Sequence, residues 1–320
     1  MKLLTRRLLV IAMVMALLVS PRLVTPTNAA AAQGDTPDCT GIAEWYAAIG
    51  ELKMQVAAAE NDPTVSFGTP NPGLYRQAVQ QLATIEAPEI IEEAQQALSN
   101  GYGGLADFLD GGIAVSQAMS AGQMPTYDAQ SNNVALLSDA RGQLLGGFLA
   151  WTVAGVTCGI TTEQFTPSPT RGCDGVADYL NTAAATIGGF WNFWYDTANQ
   201  NKTDTSALPL GTGEILSGAA FEDALKLATT PAPGMAMDIQ LATVQYLGAL
   251  SNLYLLNLLG AMGVYYGLDQ QGLNQVQEQH QQQLELTQQQ DAAIDQAWTE
   301  LALDCDVATL YPKSGQPDPE

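Results

Sequence analysis

Apolar residues recur every three or four positions along most of this chain, the period of an amphipathic helix. The first such run predicts a helix from Cys39 to Glu60, with Ile42, Trp45, Tyr46, Ile49, Leu52 and Val56 on one stripe. Asn61-Asp62-Pro63 stops it, and a Pro/Gly-rich loop leads to Gly73. A shorter helix is expected from Leu74 to about Ile85. Pro88 suits the first turn of a third helix, with Glu89, Glu92 and Glu93 near its positive end. That helix is expected to turn Ile91, Ala94, Leu98, Leu105, Leu109 and Ile113 inward and to end near Gly122. A fourth keeps a seven-residue repeat through Leu137, Leu144, Trp151 and Cys158, with Phe148 and Gly155 beside the seam.

The pattern then starts again. Thr161 to Gly172, punctuated by Pro167 and Pro169, reads as a linker. Cys173, Val176, Leu180, Ala183, Ile187, Phe190 and Trp194 line the next helix, and an insertion containing Asn199 to Gly213 follows it. Asn201-Lys202-Thr203 in that insertion is a glycosylation sequon, relevant only in a eukaryotic host. Ile215 to Thr229 reads as a short helix, and Pro233 opens a long one. The last helix runs from about Asp269 to Cys305 and is glutamine-rich between Gln270 and Gln290, which predicts a solvated or weakly packed stretch. Ile239 to Leu268 holds no charged residue. Gln240, Gln245, Asn252 and Asn257 interrupt it, and no Lys or Arg between Lys226 and Lys313 orients a span. A helix buried in a bundle, rather than a membrane span, is therefore expected.

Three landmarks occur twice in the same order. Cys39-Thr-Gly-Ile-Ala-Glu returns as Cys173-Asp-Gly-Val-Ala-Asp. Leu82-Ala83-Thr84-x-x-Ala87-Pro88 returns as Leu227-Ala228-Thr229-x-x-Ala232-Pro233. Ala150-Trp151-Thr152, followed by Cys158, returns as Ala297-Trp298-Thr299, followed by Cys305. These repeats predict an all-α protein of two tandem four-helix-bundle-like copies. Alternating up-and-down helices return the last helix to the end where the first began. That geometry selects Cys39–Cys158 and Cys173–Cys305 among the three pairings of four cysteines, over the rival Cys158–Cys173 with Cys39–Cys305. The expected domains are 33–166 and 167–311, preceded by a signal segment 1–32 and followed by a disordered tail 312–320. The L-A-T-x-x-A-P pattern resembles helix junctions in uncharacterised exported bacterial helical proteins, a resemblance that implies no activity.

Charge and the N-terminus narrow the setting. The chain carries 11 basic and 33 acidic residues, a net charge of -22. Four of the basic residues (Lys2, Arg6, Arg7, Arg22) lie in 1–32, which holds no acid. So acidic a surface repels nucleic acid and anionic membranes and favours solubility. Lys2, Arg6 and Arg7 precede an apolar run from Leu8 to Val19, and small residues follow at Ala29 to Ala32. This is the layout of a secretory signal, with an uncleaved N-terminal anchor as the alternative. Secretion agrees with four cysteines held as two disulfides.

Little catalytic chemistry is on offer. The sole histidine, His280, excludes a paired Glu-x-x-His di-iron site and a zinc site of several histidines. His280 and Asp291 could both face inward, yet eleven residues place them about 16 Å apart along a helix. Paired carboxylates such as Asp107 with Asp110, or Glu89 with Glu92 and Glu93, could serve a hydrolase but read as solvated faces. No calcium loop is present, leaving weak surface binding as the only calcium reading. No cofactor, no metal and no catalytic residue is expected. The run Phe190-Trp191-Asn192-Phe193-Trp194-Tyr195 stands apart, because the first copy has small residues there, Val56-Ala57-Ala58-Ala59. Phe190 and Trp194 fit the core stripe and Trp191 could join them, whereas Phe193 and Tyr195 lie on other faces. Trp191, Phe193, Trp194 and Tyr195 are the candidate ligand site, expected near Ile215 and Tyr265 to Leu268, with Asn252 and Asn257 deeper. The leading expectation is a secreted or cell-surface, non-enzymatic helical binding or scaffold protein. The alternatives are an extracytoplasmic small-molecule binder with an aromatic-lined pocket in the second copy, and a hydrolase using paired carboxylates. The partner is expected to be a protein or a small molecule, not nucleic acid or a membrane.

Overall fold

The computed structural model describes residues 38–60, 71–160, 172–200 and 212–312. The expected signal segment 1–32, the expected linker 161–171, the sequon and most of its insertion, and tail residues 313–320 lie outside the described residues. Eight α-helices and no strand occur among the described residues. They are α1 (Ile42–Glu60), α2 (Pro72–Leu82), α3 (Glu92–Ser120), α4 (Tyr127–Thr157), α5 (Val176–Gln200), α6 (Thr212–Ala228), α7 (Met237–Tyr265) and α8 (Gln270–Asp304). The shortest member is second in each set of four. Both expected disulfides are present, Cys39–Cys158 and Cys173–Cys305. The chain divides into two compact units, Met1–Gly147 with Tyr266–Leu268, and Phe148–Tyr265 with Asp269–Glu320. The division falls inside α4.

In the first unit, α1 buries the six residues its periodicity singled out: Ile42, Trp45, Tyr46, Ile49, Leu52 and Val56. Its first turn begins later than Cys39, because Gly41 adopts a positive φ of 76° that breaks the helix there. Between α2 and α3 the chain makes a 3-10 turn, Glu89–Ile91, after Pro88. Gln95 spans this junction. Its Nε2 donates to the carbonyls of Leu82 (2.9 Å), which also accepts the turn bond of Ile85 N–H, and of Ile85 (2.8 Å), just past the end of α2. The Trp45 indole N–H donates to Gln95 Oε1 at 2.9 Å, so one amide ties α1, α2 and α3 together.

The inward face of α3 differs from the expected stripe. Gly101, Tyr102 and Ala106 are buried, while Leu105, Leu109 and Ile113 are half-buried. The reason is a close antiparallel approach of α4. A Cβ on Gly101 would lie 2.6 Å from the Leu144 side chain, one on Gly104 2.8 Å from Ala140, and one on Gly147 2.6 Å from Leu98. Small residues, not the largest ones, define this seam. At the end of α3, Gly122 has a φ of 76°, and Gln123 N–H donates to Ala118 O to close the last turn.

The second unit repeats the junction. Gln240 Nε2 donates to Leu227 O (2.7 Å) and Thr230 O (2.6 Å), at the same sequence separations as Gln95. Gly213 lets the start of α6 pass close to the backbone of α7: an added Cβ would meet Tyr254 O at 2.9 Å. Ser217 and Ser251 bond to each other within the same α6–α7 seam. Thr152, in the part of α4 that belongs to this unit, donates to Ala228 O at 2.6 Å. α7 packs against α6 and α8 and buries residues around most of its circumference, including Gln240, Thr243, Tyr246, Leu250 and Tyr254. It is long and apolar enough to cross a membrane by length and composition, and just over half of that stretch is buried inside the protein. On α8, Asp269 caps the N-terminus through Gly272 N–H at 2.8 Å. Gln283 is buried and donates to Ala249 O of α7. After α8 the chain folds back: Trp298 Nε1 donates to Thr309 O at 3.0 Å, and Tyr311 is buried.

Candidate functional site

Two stretches of the second unit hold chemistry that packing alone does not absorb. The first is the end of α5. Phe190 and Trp191 are both buried, their rings edge to face with centroids 5.1 Å apart. Trp194 sits at 6.0 Å from Trp191, also edge to face, but is only half-buried. The expected assignment therefore changes for one ring, Trp194. Trp191 joins the core and Trp194 leans out, because the inward stripe rotates toward α7, where Phe190 meets Tyr254 at 6.3 Å. Phe193 and Tyr195 are 41% and 45% exposed, off the core face as their positions implied. Ile215 and Tyr265 are exposed as well. Asn257 is half-buried and, by the Phe190–Tyr254 contact, level with Phe193 rather than deeper.

The indole N–H groups of this protein make a useful contrast. Trp45 donates to Gln95 and Trp298 to Thr309 O. The Trp191 N–H is buried and has no acceptor. An amide-type donor left in this state costs about 1–3 kcal/mol relative to one that is bonded. A ligand carbonyl or hydroxyl among these rings would recover that cost.

The second stretch is a polar layer nearer the other end of the unit. The Tyr311 hydroxyl donates to Asp291 Oδ1 at 2.6 Å, and the Tyr246 hydroxyl bonds the same carboxylate. Burial, with the nearby Asp291 charge, raises both phenol pKa values far above the ordinary tyrosine range, so both stay protonated donors. In the same unit Tyr179 OH, Thr243 Oγ1 and Gln290 Oε1 are buried without a hydrogen-bond partner.

The other candidates resolve into structure. His280 is half-buried, and burial lowers its pKa. Asp291 is engaged by the two tyrosines. Asp107 and Asp110 flank Arg76, with Asp110 hydrogen-bonded to it and Asp107 at 3.9 Å, on an exposed face. Glu92 and Glu93 are exposed in the first turn of α3, where the helix dipole favours them. No cluster of three or more metal-ligating side chains occurs among the described residues. The paired glutamines Gln95 and Gln240 were missed by reading periodicity, although each lies thirteen residues after the leucine of the repeated L-A-T-x-x-A-P pattern. No known family, curated protein or solved structure matches the chain.

Proposed function

We propose that this is an exported, non-enzymatic helical binding protein whose ligand or partner engages the aromatic end of α5. The two disulfides fit maturation in an oxidising compartment. One observation carries the site: a buried Trp191 N–H without an acceptor, beside the exposed rings of Phe193 and Tyr195. The rings offer contact area at small entropic cost, and the N–H offers a directional anchor. The same N–H favours a small molecule bearing a hydrogen-bond acceptor as the second reading. The strongly acidic chain disfavours an anionic one.

The test begins with cross-linking in the native source and mass spectrometry to identify the partner. Binding of that partner is then measured to Phe193→Ala/Tyr195→Ala and to Trp191→Phe. Binding lost at unchanged melting temperature supports the site. A large drop in melting temperature, with binding per folded molecule intact, shows that the rings only pack.

A further inference from the structure

The two copies also differ in one pair of positions on their first and third helices. In the first copy Trp45 donates directly to Gln95, and Leu98, three residues on, is fully buried in the same layer. The repeated cysteine and L-A-T-x-x-A-P landmarks equate Trp45 with Tyr179, Gln95 with Gln240 and Leu98 with Thr243. An indole and an isobutyl group are thus replaced by two hydroxyls. Tyr179 is 1% exposed and Thr243 0%, and neither hydroxyl has a partner.

These two hydroxyls share a layer. Phe190 of α5 meets Tyr254 of α7. α5 also touches the turn Gly234–Ala236 that precedes α7. That turn lies at least eighteen residues before Tyr254, and α5 continues only ten residues beyond Phe190, so only the start of α5 reaches it. The two helices therefore run parallel. Tyr179 and Thr243 each lie eleven residues before the touching pair, about three turns, which returns them to the same faces within roughly 20°. The third helix contributes Gln290. It lies seven residues, two turns, beyond Gln283, which bonds Ala249 O of α7. With α7 and α8 antiparallel, Gln290 comes level with residue 242, next to Thr243. Its carbonyl oxygen is buried and unpartnered too.

We propose that the second copy encloses an internal hydration site, in which an ordered water bridges Tyr179 Oη, Thr243 Oγ1 and Gln290 Oε1. The chemistry selects water. Gln290 Oε1 only accepts, so the occupant must donate; Tyr179, kept protonated by burial, donates, so the occupant must also accept. Water does both, carries no charge to desolvate, and makes about three hydrogen bonds in such sites. An indole exceeds a phenol by roughly one water volume, 30 Å³, so the Trp45-to-Tyr179 difference supplies the room. Thr243 also behaves unlike Thr186 and Thr287, whose hydroxyls bond the carbonyl four residues back; its own is left for another partner.

The test uses the full, disulfide-bonded chain. Oxygen-17 magnetic relaxation dispersion counts long-lived internal waters in the wild type, in Tyr179→Phe, in Thr243→Val and in the double variant. The expected result is at least one long-lived water per molecule in the wild type and one fewer in the double variant, with helix content unchanged by circular dichroism. Thr243→Ser is expected to retain it. A wild type without long-lived water, or a double variant with the same count, overturns the proposal. So does a crystal grown in rubidium salt with the cation, rather than water, between these three oxygens.

Discussion

The two matching helix junctions, at Gln95 and Gln240, sit over layers that are filled in two ways. In the first copy Gly101 admits Leu144, and Gly147 admits Leu98, so helices α3 and α4 close on apolar contacts. The equivalent pairs in the second copy are Tyr246 with Asp291 and Thr243 with Ile294. There a carboxylate is held by two tyrosine hydroxyls, and other polar atoms in the core lack protein partners. The glutamine strap is common to both, with the same two carbonyl separations. The shared part serves the fold: any copy must satisfy the carbonyls that end its short helix. The unshared part is free of that demand, which is why function is sought there.

The largest expected effect falls on what both copies keep. Replacing Cys173 and Cys305 together with serine is expected to cost about 2–5 kcal/mol, since the bridge closes a loop of more than a hundred residues. The matching Cys39/Cys158 variant should cost a similar amount, and denaturant melts of the two, side by side, show whether the copies are equally dependent. Next comes the seam that only the first copy has. Gly147→Ala places a Cβ against Leu98 and is expected to destabilise by about 1–3 kcal/mol. At the equivalent Ile294, change to valine should cost less, about 1 kcal/mol. Equal losses in urea titrations would mean that the seam is not specially tight.

The shared strap gives a finer comparison. Gln240→Ala removes a buried donor from Leu227 O, which keeps its bond from Thr230 N–H, and from Thr230 O, and a loss of about 2 kcal/mol is expected. Gln95 is only half-buried, so water can replace part of its bonding, and Gln95→Ala should cost about 1 kcal/mol. Thermal melts that reversed this order would show that the Trp45 bond to Gln95 matters more than burial.

The smallest effect is a pH dependence confined to the second copy. Asp223 has the buried Ala78 as its counterpart in the first. Burial raises the Asp223 pKa to about 6, with the Lys226 charge opposing and Glu222 adding. The folded pKa thus lies above the unfolded value, so the folded state binds the extra proton between about pH 4 and 6. This contribution is present at low pH and is lost as pH rises through 6. Melting temperature should therefore fall by a few degrees between pH 5 and 7 in the wild type, and by less in Asp223→Asn. Identical pH slopes in the two proteins would remove Asp223 from the account.

Much of the fold was legible in the chain itself. The six-residue stripe of α1 was readable because an isolated apolar face at helical spacing has one stable use, burial. The two disulfides were readable because Cys158 and Cys305 follow the recurring Ala-Trp-Thr landmark at one spacing, as Cys39 and Cys173 open the other. The aromatic run was visible as a difference between copies. Three things were decided only by tertiary packing. The α3 stripe moved to Gly101, Tyr102 and Ala106 because a glycine has no hydropathy signal, yet its lack of a side chain decides how near another helix can come. Trp194 left the core stripe and Trp191 joined it because a residue near the edge of a stripe is assigned by its neighbour helix, here through Tyr254. The polar layer of Tyr179, Thr243 and Gln290 was invisible for a related reason: residues 47 to 111 positions apart become one site only when three helices are brought level, and spacing along one helix carries no record of that register.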